Sequence, residues 1–285
     1  MKLFFSLCVA FAAVPTYSLS ADWGEGTAAL GYLAQDDRQE FYNFVDFTLR
    51  LEGEVWGAEI GAFGVAGGLH ETYAAVTYRT ASGKLSFGNP RPAYDDFATS
   101  SLTDLLPLLS LDTIGDTRSR ATFGTMTQSK FLPFGARYSA QEGQTDYAVS
   151  LHWVPDYPDV ILAGAMHRMQ GPWTYELAVE AVQQDASTRW NAKAQVARDF
   201  GTATLGFGVF DQQANTQTTS LEIFGRIAAL EQTELTGLLR LDEEGRTALG
   251  GGLSYRFFSR WSLQAGVFGH DTSDVASGAT LRVQF

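Results

Sequence analysis

The chain has 285 residues, with 20 Lys and Arg against 32 Asp and Glu, a formal charge of -12 at pH 7. Phosphate binding needs clustered Lys and Arg, and no such run occurs, which excludes a nucleic-acid partner. The 45% of hydrophobic residues excludes disorder, and no stretch of about 18 apolar residues after the first two dozen positions excludes a bundle of membrane-spanning helices. Only 18% of residues are charged, while 29 glycines and 13% aromatics suit many short strands and tight turns, leaving a soluble β-protein or a membrane β-barrel.

In chain order, Met1 and Lys2 make a short positive start, Leu3 to Val14 is mostly apolar, and Ser18-Leu19-Ser20 supplies small residues spaced for a signal peptidase. Residues 1–20 therefore read as a secretory signal peptide. Its removal takes away Cys8, the one cysteine, and leaves residues 21–285 without a disulfide to rely on.

Next, Val45 to Glu52 alternates strictly, with Val45, Phe47, Leu49 and Leu51 apolar and Asp46, Thr48, Arg50 and Glu52 polar. That period of two belongs to a strand with unlike faces. The same rule holds for Tyr147 to Trp153, for Trp173 to Glu180, for Leu221 to Ile227, for Leu235 to Asp242 and for Trp261 to His270, with short turns such as Asp242-Glu243-Glu244-Gly245 between them. Strands of about ten residues with alternating faces match an outer-membrane barrel, and a soluble sandwich would alternate in the same way with its apolar face inward. Aromatics at strand ends (Trp23, Trp56, Trp153, Trp173, Trp190, Phe257, Phe258, Trp261) suit interfacial girdles. Mid-strand charges such as Glu176, Glu180, Glu222 and Arg240 suit a wet lumen.

One long connection interrupts the pattern. After Lys84 to Gly88, Pro90 and Pro92 stop regular pairing, and residues 89–116 form a loop before Arg118-Ser119-Arg120, where the next strand is expected to open. Leu102, Leu105, Leu106, Leu108, Leu109 and Leu111 make this loop too apolar for a solvated linker. It should pack against something, in part as a short helix, and loops of this length are usually functional.

The last residues, Ala279 to Phe285, alternate and end on an aromatic. This ending resembles the C-terminal strand of Gram-negative outer-membrane barrels, which implies that Phe285 is the signal read by the barrel assembly machinery. The Phe87-Gly88 strand end followed by Pro92-Ala93-Tyr94-Asp95 resembles the general diffusion porins, at the start of the inward-folded third loop that narrows their channel. A Pro-Glu-Phe-Gly run found in the enterobacterial branch is missing. The resemblance implies a transmembrane antiparallel β-barrel of about 16 strands over residues 21–285, passive diffusion of small hydrophilic solutes, a homotrimer, and contact with outer-membrane lipid and lipopolysaccharide. It also implies acidic constriction residues on the loop (Asp95, Asp96, Asp104, Asp112) facing basic wall residues (Arg50, Arg79, Arg120) on the second, fourth and sixth strands. The acid excess of the loop predicts mild cation preference.

No Gly-x-Ser-x-Gly elbow, His-Glu-x-x-His site or phosphate-cradling Gly loop is present. The expectation is therefore no catalytic activity and no cofactor. Ser150 with His152, or His270, on a barrel wall is the residual enzyme reading, and Asp36-Asp37 and Asp95-Asp96 are Ca²⁺ candidates. The reading from another class is an exported β-protein without a channel, either a periplasmic binding sandwich or a barrel adhesin or anchor.

Overall fold

The computed structural model describes residues 20–65, 68–112, 115, 117–127, 132–155, 159–184, 187–270 and 273–285, and of residues 20–24, 112, 273 and 274 it describes the backbone alone. Residues 1–19 of the expected signal peptide lie outside this set.

The strands are β1 (Ser20–Gln35), β2 (Arg38–Glu52), β3 (Trp56–Gly64), β4 (His70–Arg79), β5 (Lys84–Asn89), β6 (Phe134–Glu142), β7 (Thr145–Val154) and β8 (Asp159–Gln170). The second half supplies β9 (Trp173–Gln184), β10 (Ser187–Asp199), β11 (Ala203–Gln212), β12 (Thr219–Leu230), β13 (Thr233–Asp242), β14 (Thr247–Phe258), β15 (Trp261–His270) and β16 (Ser273–Gln284). Each pairs antiparallel with its sequence neighbours, and β1 pairs with β16, so the sheet closes on itself. The expected sixteen-strand antiparallel barrel is the observed architecture.

Alternation settles which face is which. Along β7, Val149, Leu151 and Trp153 are 49%, 49% and 51% exposed, whereas Ala148, Ser150 and His152 are 2%, 2% and 1% exposed. The large apolar residues point outward on strand after strand, for example Leu30, Phe41, Leu162, Leu177, Leu205, Ile223 and Leu249. A sheet whose outer surface is apolar all round is soluble only in lipid, which rules out the sandwich. Trp56, Trp173, Phe257, Phe258 and Trp261 are exposed toward the end that carries the chain termini, and Trp153 and Trp190 toward the opposite end. Two interfacial belts result, although the side chain of Trp23 is not among those described. Thr48 and Arg50 line a lumen cavity, so Leu49 between them faces lipid. Leu49→Arg should cost roughly 2 to 4 kcal/mol in a refolding assay if the site is near the bilayer midplane, whereas Thr48→Arg should be tolerated. Equal tolerance of the two would contradict the face assignment.

The long connection departs from expectation in extent. The chain does not re-enter the wall at Arg118-Ser119-Arg120. It forms α1 (Leu102–Leu105), α2 (Pro107–Asp112) and α3 (Arg120–Thr127) before β6 begins at Phe134. Ser119 is the reason. Its hydroxyl accepts from the Ala121 N–H at 3.1 Å and its carbonyl accepts from the Phe123 N–H at 2.9 Å, which is an N-cap rather than a strand start. Pro107 opens α2, where its missing N–H costs nothing.

This loop folds into the barrel. Leu102, Leu105, Leu106, Leu108, Leu109, Leu111 and Met126 form one apolar cluster with lumen-facing Leu33, Tyr42, Phe44, Phe63, Tyr73, Phe224, Leu238 and Ala276, reaching from β1–β4 to β12, β13 and β16. Among the described residues every strand contributes at least one buried lumen-facing position, from Leu33 on β1 through Ser86 on β5 and Lys193 on β10 to Thr280 on β16. The wall is thinned to receive the loop. A Cβ on Gly252 would lie 2.6 Å from Leu105 Cδ2, and one on Gly278 would lie 3.0 Å from Leu106 Cδ2.

Candidate functional site

The loop docks through wall side chains that take up its backbone donors, which helices this short leave unsatisfied at their starts. Ser150 Oγ accepts from Ala93 N at 2.9 Å, Glu176 from Ala98 N at 2.7 Å, and Glu222 from Ser101 N at 2.8 Å and Ser100 Oγ at 2.6 Å. Glu180 accepts from Arg120 N and Ser119 Oγ, both at 2.7 Å, and from Asn191 Nδ2 at 2.6 Å. That places a carboxylate at the positive N-terminal end of α3. Lys193 Nζ donates to Thr117 O at 3.1 Å and lies 4.7 Å from the centre of the Tyr94 ring. Gln212 donates to Tyr94 Oη at 2.5 Å. Burial, reinforced by the Glu180 charge, pushes the Tyr94 hydroxyl well above its usual range.

These contacts correct one expectation. Glu180, Glu222 and Arg240 are buried, and the two glutamates serve as sockets for the loop rather than as charges in a wet lumen. Ser150 and His152, the Ser-His pair, are likewise committed to it, since His152 Nε2 donates to Pro90 O at 2.9 Å.

The constriction candidates are placed as follows. Asp95, in a 3₁₀ turn (Ala93–Asp95), is buried and turned into the loop, accepting from Ser119 N at 2.7 Å and from the Thr122 hydroxyl. Asp96 holds a two-pronged pair with Arg137 of β6, at 2.6 and 2.9 Å. Asp104 reaches Arg226 of β12 at 2.7 Å and Arg282 of β16 at 3.4 Å. Asp112 ends α2, and its side chain lies outside the described residues. Because Asp95 and Asp96 face different partners, they do not converge on one cation. Among the described residues, no group of three or more His, Cys, Asp or Glu is placed to hold a metal.

Of the basic candidates, Arg50 lines the lumen as alternation predicts. Arg79 ends β4 and pairs with Glu52 at the rim. Arg120 is not on a wall strand. It opens α3 and pairs with Asp159 at 2.8 Å, behind the loop. Arg91, Arg118 and Arg137 were overlooked. Arg91 grips Asp46 of β2 at 2.8 and 3.1 Å, with Arg118 3.8 Å from the same carboxylate, while Arg137 also donates to Arg91 O at 3.0 Å. The alternation Arg137, Ser139, Gln141 was the available signal for Arg137.

Two charged cavities flank the loop on the side of the chain termini. The larger, about 1080 Å³, lies between loop residues Asp96, Phe97 and Thr99 and wall residues Thr48, Arg50, Glu59 and Lys84. The smaller, about 300 Å³, lies against Asp104 and Leu105 and is lined by Arg226, Arg256, Arg260 and Arg282.

A closed sixteen-strand barrel with an apolar outside, charged cavities inside and a long loop folded inward between strands five and six is the porin fold. The comparison with solved structures agrees. A five-substitution variant of the Rhodopseudomonas blastica porin superposes with a TM-score of 0.69 at 16% identity, covering 93% of this chain and 100% of the other. A tryptophan-bearing variant of that porin gives the same figures. At this identity the likeness is one of fold. No family model matches the chain, and no curated protein matches it in sequence.

Proposed function

We propose that this chain is an outer-membrane porin of a Gram-negative cell, exported on the signal peptide 1–20, forming a homotrimer in contact with lipid and lipopolysaccharide, and passing small hydrophilic solutes without catalysis or cofactor. The observation that carries the reading is the inside-out wall combined with opposed charges across the larger cavity. A barrel of sixteen strands is wide enough for an aqueous channel, and charge rows across a narrow opening orient polar solutes while disfavouring apolar ones. Extraction only by detergent, together with stepwise conductance in a planar bilayer, tests it. A second reading, a non-conducting barrel anchor, is favoured by the complete ring of buried wall residues, and absence of steps in the bilayer would establish it.

Mild cation preference is expected from the acid excess, weakening with salt as screening shortens to a few ångströms. Because Asp96 neutralises Arg137, Asp96→Asn exposes that guanidinium and should move the zero-current potential in a KCl gradient toward anions. Arg50→Gln should move it the other way, and an unchanged potential in both variants would remove the loop from the permeation path.

Phe285 lies 6.2 Å from Phe47, ring to ring, and exchanges backbone hydrogen bonds with Gly26. Its assembly role predicts that deleting it lowers outer-membrane insertion in cells while leaving the conductance of inserted pores nearly unchanged. Normal surface levels of the truncated chain would contradict this.

A further inference from the structure

The smaller cavity contains an arginine pair already holding a carboxylate. Asp104 Oδ2 accepts from Arg226 at 2.7 Å and Oδ1 from Arg282 at 3.4 Å, and Arg282 also donates to Thr103 O at 3.4 Å. Arg282 is buried, and its Nε has no hydrogen-bond partner. The acceptor it holds belongs to the loop, and Asp104 is 44% exposed, so the pair can be reached from the cavity. Arg256 and Arg260 line the same cavity nearer its mouth, and together the four guanidiniums outnumber the acids Asp104, Glu231 and Glu234 that share the lining. The fork of a guanidinium matches a carboxylate in two-point contact. The cavity volume of about 300 Å³ admits a small organic acid. Above it, the loop packs against the wall, and α1 is held there by Leu102, Leu105, the Glu222 contacts and the two ion pairs of Asp104.

We propose that Arg226 and Arg282 form a binding site for the carboxylate of a small organic acid, that the loop's own Asp104 occupies it in this structure, and that a solute carboxylate displaces Asp104 and loosens the α1 corner of the plug. The proposal rests on the porin reading for its consequence in transport, while the binding site itself stands on the arginine geometry. An internal acid on a short tether competes at an effective concentration in the millimolar range, so solute binding should be weak in the parent protein and strong once the competitor is neutralised.

The test is calorimetric titration of succinate into detergent-solubilised full-length protein against chloride at matched ionic strength, with bilayer recording in the same salts. Asp104→Asn should tighten succinate binding at least tenfold, and Arg226→Gln with Arg282→Gln should abolish it. In the bilayer, succinate should raise parent conductance severalfold, and Asp104→Asn should show the raised level in chloride alone. Equal affinity in all three proteins, or no binding to Asp104→Asn, overturns the proposal. Retained circular dichroism of the barrel shows that the arginine variant has folded. Should the binding pattern appear with no conductance in any salt, the site stands and the porin reading fails.

Discussion

Glu180→Ala is expected to release the start of α3 from the barrel wall. Three donors, the Ser119 hydroxyl, the Arg120 N–H and the Asn191 amide, lose their acceptor at once, and each buried donor left unmade costs about 1 to 3 kcal/mol. Removing a buried carboxylate recovers part of that, so the net effect is about 3 kcal/mol on the docked loop. If the loop opens and closes quickly relative to cleavage, trypsin cutting after Arg118 or Arg120 in the intact barrel should accelerate roughly a hundredfold. Glu180→Gln, which keeps one acceptor oxygen, should show a much smaller rise. Cleavage of the alanine variant at the parent rate would mean that the Glu180 network does not hold the loop.

Leu106→Ala should have a comparable effect through packing. Leu106 is buried in the cluster that includes Leu33 and rests on the space left by Gly266 and Gly278. Losing a buried leucine side chain costs about 2 to 5 kcal/mol, with the larger values where the surroundings cannot collapse. A wall held by ladder hydrogen bonds on both sides collapses poorly, so the upper half of that range applies. Hydrogen exchange of backbone amides in residues 100–127 should rise by about two orders of magnitude or more while amides of β7 to β10 stay protected. Uniform acceleration across strands would show instead that the loop and wall open as one unit.

The barrel was legible in the sequence because side-chain period reports directly on which face of a strand a residue occupies. Val45 to Glu52 and Tyr147 to Trp153 were assigned correctly on that ground alone, and the prolines at 90 and 92 placed the end of the fifth strand within one residue, at Gly88 against Asn89. Alternation is silent about what lies across the lumen. Glu176, Glu180 and Glu222 have the spacing of water-facing charges, yet each accepts from a backbone N–H of the loop, 78, 60 and 121 residues away in sequence. The stretch Arg118-Ser119-Arg120 carries no alternation to mark a strand, and the cap at Ser119 makes it the start of a helix. Asp95 was expected to face the passage, and the structure turns it toward Ser119 and Thr122, because a loop this deeply buried needs acceptors of its own. Asp96 and Asp104 pair with arginines other than the three expected, Arg137 on the sixth strand for Asp96 and Arg226 and Arg282 on the twelfth and sixteenth for Asp104.

The pairing of β1 with β16 gives the order of events in assembly a physical constraint. This seam is the last that can zip, since it joins the two ends of the wall. Its lumen face carries Ala29, Leu33, Ala276 and Gly278, all in contact with the leucine cluster or with Leu106 directly. Once sealed, the cylinder offers a chain of more than twenty residues no sideways route to its interior. A loop that has collapsed inward before sealing presents its leucines as a template on which the two edges meet. Weakening them should slow the closing of the seam itself.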